Sequence, residues 1–235
     1  MVRRLSSREV RLAQTLNDGL QLFEAVRAFR TAGARQGKKK KRPTSQGNRY
    51  ADAIEALREL AEEEGIPIAV VGGVATVYHG YERFTKDMDV VVSTQDFDRI
   101  IKVCYKYGFD IKSYNPTGMH ELLYGNLEIE VIEEGMFAGD PSDPKAMPSP
   151  AELGVTHGLQ FVSLPKWIQL KLSSGRLQDY ADIGNVLQKK SPEEHQDVED
   201  YLHGFNPTYA EKFRSLAEDA RREKQQQESF LLRKP

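Results

Sequence analysis

Two aspartates stand one residue apart in the segment Arg83-Phe84-Thr85-Lys86-Asp87-Met88-Asp89-Val90-Val91-Val92. Side chains alternate along an extended strand, so Asp87 and Asp89 face one way there and Met88 the other. Two ionised carboxylates that close repel unless a cation lies between them. Magnesium prefers carboxylate and phosphate oxygens and keeps some of its waters. Upstream, the apolar run 66–71 ends at Gly72-Gly73. Glycines let a backbone turn sharply and approach a ligand closely. A helix starting there would aim its free N–H groups at the same place, which suits a phosphate. Asp-x-Asp alone, or Gly-Gly alone, is common; together, in this order and spacing, they point to magnesium–nucleotide binding.

Further residues carry alternatives. Arg83 either grips a phosphate through its guanidinium fork or pairs with an acid to brace the turn. Thr85 orders the turn before the strand. The alternating run Leu127-Glu128-Ile129-Glu130-Val131-Ile132 puts Glu128 and Glu130 on one face, as a candidate third acid or as a solvent-facing edge. Lys171 either reaches a triphosphate as a point charge or lays its stem over the core. Arg176, Asp179 and Asp182 are spaced to interact on one helix. His79 reads as a capping or packing residue, and His120, His157, His195 and His203 have no zinc-site spacing.

The elements that must position these groups follow from periodicity and breakers. Apolar spacing predicts a helix over 5–32, with a capping-box-like start at Ser6. The run 38–42, Lys-Lys-Lys-Lys-Arg, reads as a disordered basic linker. Helices are expected over 50–64, stopped by Gly65, over 74–79, and over 95–107, stopped by Gly108. Strands are expected over 66–71, 88–92, 121–124, 127–132 and 158–162. Residues 135–150 read as a loop. Ser163 with Pro165 opens a helix to 174, Gly175 breaks it, and a second runs over 176–188. Two polar helices follow, around 192–201 and 208–226. The fold class expected is α/β (α+β in stricter usage): a short mixed sheet flanked by helices. Three parts are expected: an N-terminal helix and basic linker over 1–47, a core over 48–163 and a C-terminal helical region over 164–235.

Composition narrows the class. No apolar run approaches the roughly 18 residues of a membrane span, so no membrane role is expected. The N-terminus has no apolar segment behind its arginines and is not a secretory signal. The single cysteine, Cys104, allows no intrachain disulfide, is read as a buried thiol and fits a cytoplasmic protein. The net charge of −2 hides an asymmetry: residues 1–47 hold 12 basic and 3 acidic residues, a balance of +9, and the rest holds 21 basic and 32 acidic, a balance of −11. The basic run is a solvated tether or a set of RNA phosphate contacts.

The pattern Gly72-Gly73, a helix, then Arg83-x-Thr85-x-Asp87-x-Asp89 resembles the polymerase-beta-like nucleotidyltransferase superfamily, in particular its small bacterial AbiEii-toxin-type branch. The likeness extends over about residues 50–190 and includes a stretch like 163–182. It implies a nucleotidyltransferase fold and transfer of a nucleoside monophosphate from an NTP to a hydroxyl, with Mg2+ (or Mn2+) as cofactor. It implies metal-binding and catalytic roles for Asp87, Asp89 and a third acid. That acid is usually Asp, and here the strand offers only Glu. Glu130 is preferred, because Val131-Ile132 aligns with the apolar pair after the usual acid. The implied nucleotide contacts are Gly72, Gly73, Arg83, Thr85 and Lys171. Gly-Gly, usual in this branch, stands where the wider superfamily often has Gly-Ser. The implied partners are an NTP and an RNA (tRNA) or protein acceptor, with a cognate antitoxin if the chain is half of a toxin–antitoxin pair. The alternative is a catalytically degenerate module that binds nucleotide, RNA or protein without turnover.

Overall fold

The computed structural model describes residues 7–32, 48–114, 119–138 and 145–232. The basic run 38–42 and the proposed cap Ser6 lie outside the described residues. Helix α1 covers Ser7–Ala32 and α2 covers Arg49–Glu64. Strand β1 is Ile68–Val70, α3 is Gly72–Tyr78, and β2 is Asp87–Val92. Helix α4, Thr94–Val103, ends in a 3-10 turn at Cys104–Tyr107. Strands β3 (Asp110–Ser113), β4 (Met119–Tyr124) and β5 (Leu127–Glu133) follow, then the two-residue strands β6 (Phe137–Ala138) and β7 (Lys145–Ala146), and β8 (Leu159–Phe161). The C-terminal helices are α5 (Leu164–Ser174), α6 (Leu177–Leu187), α7 (Pro192–Phe205) and α8 (Pro207–Leu232).

Local chemistry sets the boundaries. Asn48 caps α2 by accepting from the Tyr50 and Ala51 N–H groups. Gly65 closes it in the left-handed region at φ 65°, which glycine adopts without a Cβ penalty. Ser191 and Glu194 form a reciprocal capping box on α7.

The main sheet is mixed, in the order β3-β4-β5-β2-β1-β8. Strand β2 lies antiparallel to β1 and parallel to β5. This is the expected mixed α/β architecture, with helices on both faces and a helical C-terminal part. Two apolar cores lie against the sheet. Met88, Val90 and Val92 of β2 and Leu127, Ile129 and Val131 of β5 join the first, with α1, α2 and α4. Val91 and Ile132, on the alternate face, join the second, with α5 to α8. Helix α1 is docked: Leu22, Ala25 and Val26 are buried in the first core, and Arg49 pairs with Asp18 at 2.8 Å. Cys104 is a buried thiol, as expected.

Helices α7 and α8 run to 205 and 232, beyond the expected 201 and 226, and three further differences bear on the site and its sheet. Helix α3 begins at Gly72 rather than Val74, so both glycines lie in its first turn. Strand β3 pairs with β4 although its residues are mostly exposed; an edge strand with little to bury has no apolar alternation to reveal it. The expected loop over 135–150 contains the small antiparallel ribbon of β6 and β7, each too short for a periodic signal.

Candidate active site

Strand β2 projects Asp87 and Asp89 from the face opposite the first core. Strand β5 lies beside it in register, with Asp87 opposite Glu128 and Asp89 opposite Glu130. Both glutamates therefore face the same side as the aspartates, and the rest of the fold decides between them. Glu128, at the start of β5, is exposed and is held by Lys112 of β3 at 2.8 Å. Glu130 turns inward: Asp87, Asp89 and Glu130 each offer a carboxylate oxygen, all within 4.8 Å of one another. Among the described residues, these three form the one group of acids, histidines or cysteines close enough to hold a metal ion.

Their electrostatics follow from that proximity. Burial, then the charge of Asp87, pushes the Asp89 carboxyl above the usual range. Burial, then the charge of Asp89, pushes Glu130 up to about 7. Glu130 and Asp89 share a hydrogen bond, which helps keep Glu130 protonated. Three hard oxygen donors whose full ionisation is opposed by one another fit a divalent cation, which would replace the proton and relieve the repulsion.

The glycines make room for this cluster. A Cβ on Gly72 would lie 1.7 Å from Asp89 Oδ2, and its φ of 60° is in the left-handed region. Both facts demand glycine there. The Gly73 N–H points at Asp89 Oδ2 at 3.4 Å. A Cβ on Gly73 would meet Thr85 Oγ1 at 2.7 Å and Arg83 Nη2 at 3.0 Å. The close backbone approach expected toward a ligand is made here to the chain's own Asp89, Thr85 and Arg83. Thr85 is a structural link as expected, and more: its hydroxyl donates to Asp87 Oδ1 at 2.9 Å. Its carbonyl accepts from the wholly buried Tyr50 hydroxyl at 2.9 Å. No sequence signal marks Tyr50, because an inward tyrosine on an amphipathic helix looks like core.

Two cations also line the site. Lys171 is buried and donates to Asp179 and, at 2.8 Å, to Asp182. Arg83 Nε faces Asp182 at 3.4 Å without the geometry of a hydrogen bond. So Asp179 and Asp182 pair with Lys171 on the preceding helix, and Asp182 also faces Arg83, rather than both pairing with Arg176 as their spacing suggested. Asp182 is wholly buried between two cations and also accepts from Gln178 at 3.0 Å. His79 is a packing residue as expected: its Nε2 lies 3.0 Å from the Val162 carbonyl, its ring packs near Trp167, and burial lowers it to about 4.

A cavity of about 1160 Å³ is lined by Gly72, Gly73, Arg83, Thr85, Asp87, Asp89, Glu130 and Lys171. All eight candidate residues thus line one space.

No family model and no curated protein matches the sequence. Among solved structures, the crystal structure of ANT(2'')-Ia in complex with adenylyl-2''-tobramycin is similar at 14% identity and TM-score 0.37, over 73% of this chain and 96% of that one. The solution structure of the antibiotic-resistance factor ANT(2'')-Ia is similar at 11% identity and TM-score 0.38, over 76% and 96%.

Proposed function

We propose that the chain is a metal-dependent nucleotidyltransferase of the polymerase-beta-like superfamily, moving a nucleoside monophosphate from an NTP to a hydroxyl. The observation that carries this reading is the convergence of Asp87, Asp89 and Glu130 within 4.8 Å at the wall of the cavity. Magnesium or manganese held there would neutralise phosphate charge and favour an acceptor alkoxide. Asp87 and Asp89 would hold the metal that carries the triphosphate, and Glu130 would complete the ligand set beside the acceptor. Thr85 fixes the rotamer of Asp87, and the backbone at Gly72 and Gly73 admits Asp89. Arg83, whose buried Nε has no hydrogen-bond partner, and Lys171 would face the phosphates as fixed positive charge. Alignment and charge neutralisation supply most of the rate in phosphoryl chemistry.

The acceptor class that goes with this reading is a hydroxyl of RNA, tRNA included, or of a protein side chain. A toxin–antitoxin pair in a cytoplasm would be one setting for such an enzyme. The competing reading, a binding module without turnover, draws support from Lys171, whose ammonium is already held by two carboxylates. The experiment is incubation with each α-labelled NTP, magnesium or manganese, and total cellular RNA or protein. Label carried into a macromolecule by the wild type supports the transferase. Metal-dependent NTP binding with no transfer to either fraction would favour the module.

A further inference from the structure

The cavity has a second chemical region that the metal cluster does not explain. Tyr201, Phe205 and Tyr209 stand four residues apart across the α7–α8 corner. The Tyr201 and Phe205 rings lie parallel within 10°, centroids 6.3 Å apart, and the Tyr209 ring lies 6.0 Å beyond. The outer rings are anchored. Tyr201 Oη donates to Gln169, and its ring carries Lys166 Nζ at 4.7 Å. The Tyr209 hydroxyl shares a 3.0 Å hydrogen bond with Ser173. Phe205 between them is 52% exposed and lines the cavity. A rigidly backed phenyl ring turned to a polar cavity leaves apolar surface in water that a flat partner would cover.

We propose that Phe205 is the stacking platform for the nucleobase of the bound NTP. The inference rests on the nucleotide reading above and adds the subsite for the base. Position decides the occupant. Ser173, which holds Tyr209, is followed in the chain by Ser174, whose hydroxyl donates to Asp179, the carboxylate that grips Lys171. The shelf is therefore built onto the same turn of α5 as the cation facing the phosphates. A further flank, next to Glu130, carries methionines: Met119 pairs across from Ile132, two residues beyond Glu130, and Met136 and Met147 line the same cavity. That flank adjoins the third acid, where an acceptor hydroxyl has to arrive. A nucleotide with its phosphates at the acids and Lys171 would place its base on the shelf joined to that turn of α5. Every base has a π-face, so the platform tolerates all four, with purines offering the larger overlap.

The test compares ligands with and without a base on the full chain, by calorimetry in manganese: α,β-methylene-ATP against inorganic tripolyphosphate. The expected result is that Phe205→Ala weakens α,β-methylene-ATP by about 5- to 150-fold, the usual worth of a base–aromatic stack. Tripolyphosphate affinity should stay unchanged, and Phe205→Trp should restore nucleotide affinity. The unchanged tripolyphosphate affinity shows in the same titrations that Phe205→Ala has kept its fold. If the wild type binds both ligands equally, or Phe205→Ala loses both equally, the platform is overturned while the nucleotide reading stands. If Phe205→Ala binds nucleotide normally and raises only the acceptor's KM, the shelf belongs to the acceptor and the proposal fails. If the wild type binds neither ligand, both readings fall together.

Discussion

The β2–β5 pair has two faces built from the same alternating residues. On one, Met88, Val90 and Val92 meet Leu127, Ile129 and Val131 in a core closed by α1, α2 and α4. On the other, Asp87, Asp89 and Glu130 crowd together under an open cavity, and only Val91 and Ile132 join a core. The first face gains from every contact. The second holds like charges together and leaves space beside them, an arrangement that costs stability and that a bound cation would relieve. Apolar burial on one side of a strand thus holds in place an unfavourable cluster on the other. Where a fold retains such a cost, function is the usual reason.

The strongest break in that comparison is Asp87→Asn with Asp89→Asn. Nucleotidyl transfer should fall by at least about 10³-fold, since losing even one preorganised electrostatic group costs 10²–10³. Manganese binding by calorimetry should vanish. Because the change removes mutual repulsion, melting temperature without metal should hold or rise. Undiminished manganese affinity in the double variant would remove the metal site proposed here.

Glu130→Gln should abolish turnover while largely sparing nucleotide affinity, whereas Glu128→Gln should change little. Glu128 is tied to Lys112 at the strand's outer end. Paired kinetics and binding on the two variants decide the matter, and the reverse ranking would shift the third acid by one strand repeat.

Met88→Ala tests the other face. Deleting a wholly buried side chain should cost about 2–5 kcal/mol in chemical denaturation. Manganese affinity of the fraction that remains folded should be near wild type. A large loss of affinity with little loss of stability would show that the two faces are not separable.

The smallest effect is on pH dependence. Glu130 titrates at about 7 in the folded chain, above the ordinary glutamate value of 4.5. Its stabilisation is fully present below about 4.5 and is lost as pH rises through about 7. In chelator, the stability of the wild type relative to Glu130→Gln should therefore decline between those values. Metal uptake must expel the same proton, so manganese affinity should climb over that window. Parallel pH profiles for the two proteins would count against the burial and charge assigned to Glu130.

Much of this was legible in the sequence because it depends on local rules. Strand alternation alone places Asp87 and Asp89 on one side and Met88 on the other. The stop at Gly65, the Pro-led start of α5 and the break at Gly175 are set by backbone chemistry within a few residues. The strict need for glycine at position 72 was readable only as a preference, since the atom that forbids a side chain, Asp89 Oδ2, is seventeen residues away. Register was beyond reach for the same reason. Glu128 and Glu130 share a face, and only the pairing of β2 with β5, together with Lys112 arriving from β3, separates them. The spacing of Asp179 and Asp182 suggested partners on their own helix, but the turn at Gly175 brings Lys171 and the chain fold brings Arg83 instead. Local periodicity settles which way a side chain points; which charge it meets there depends on contacts between segments far apart in the chain, and those exist only in the folded molecule.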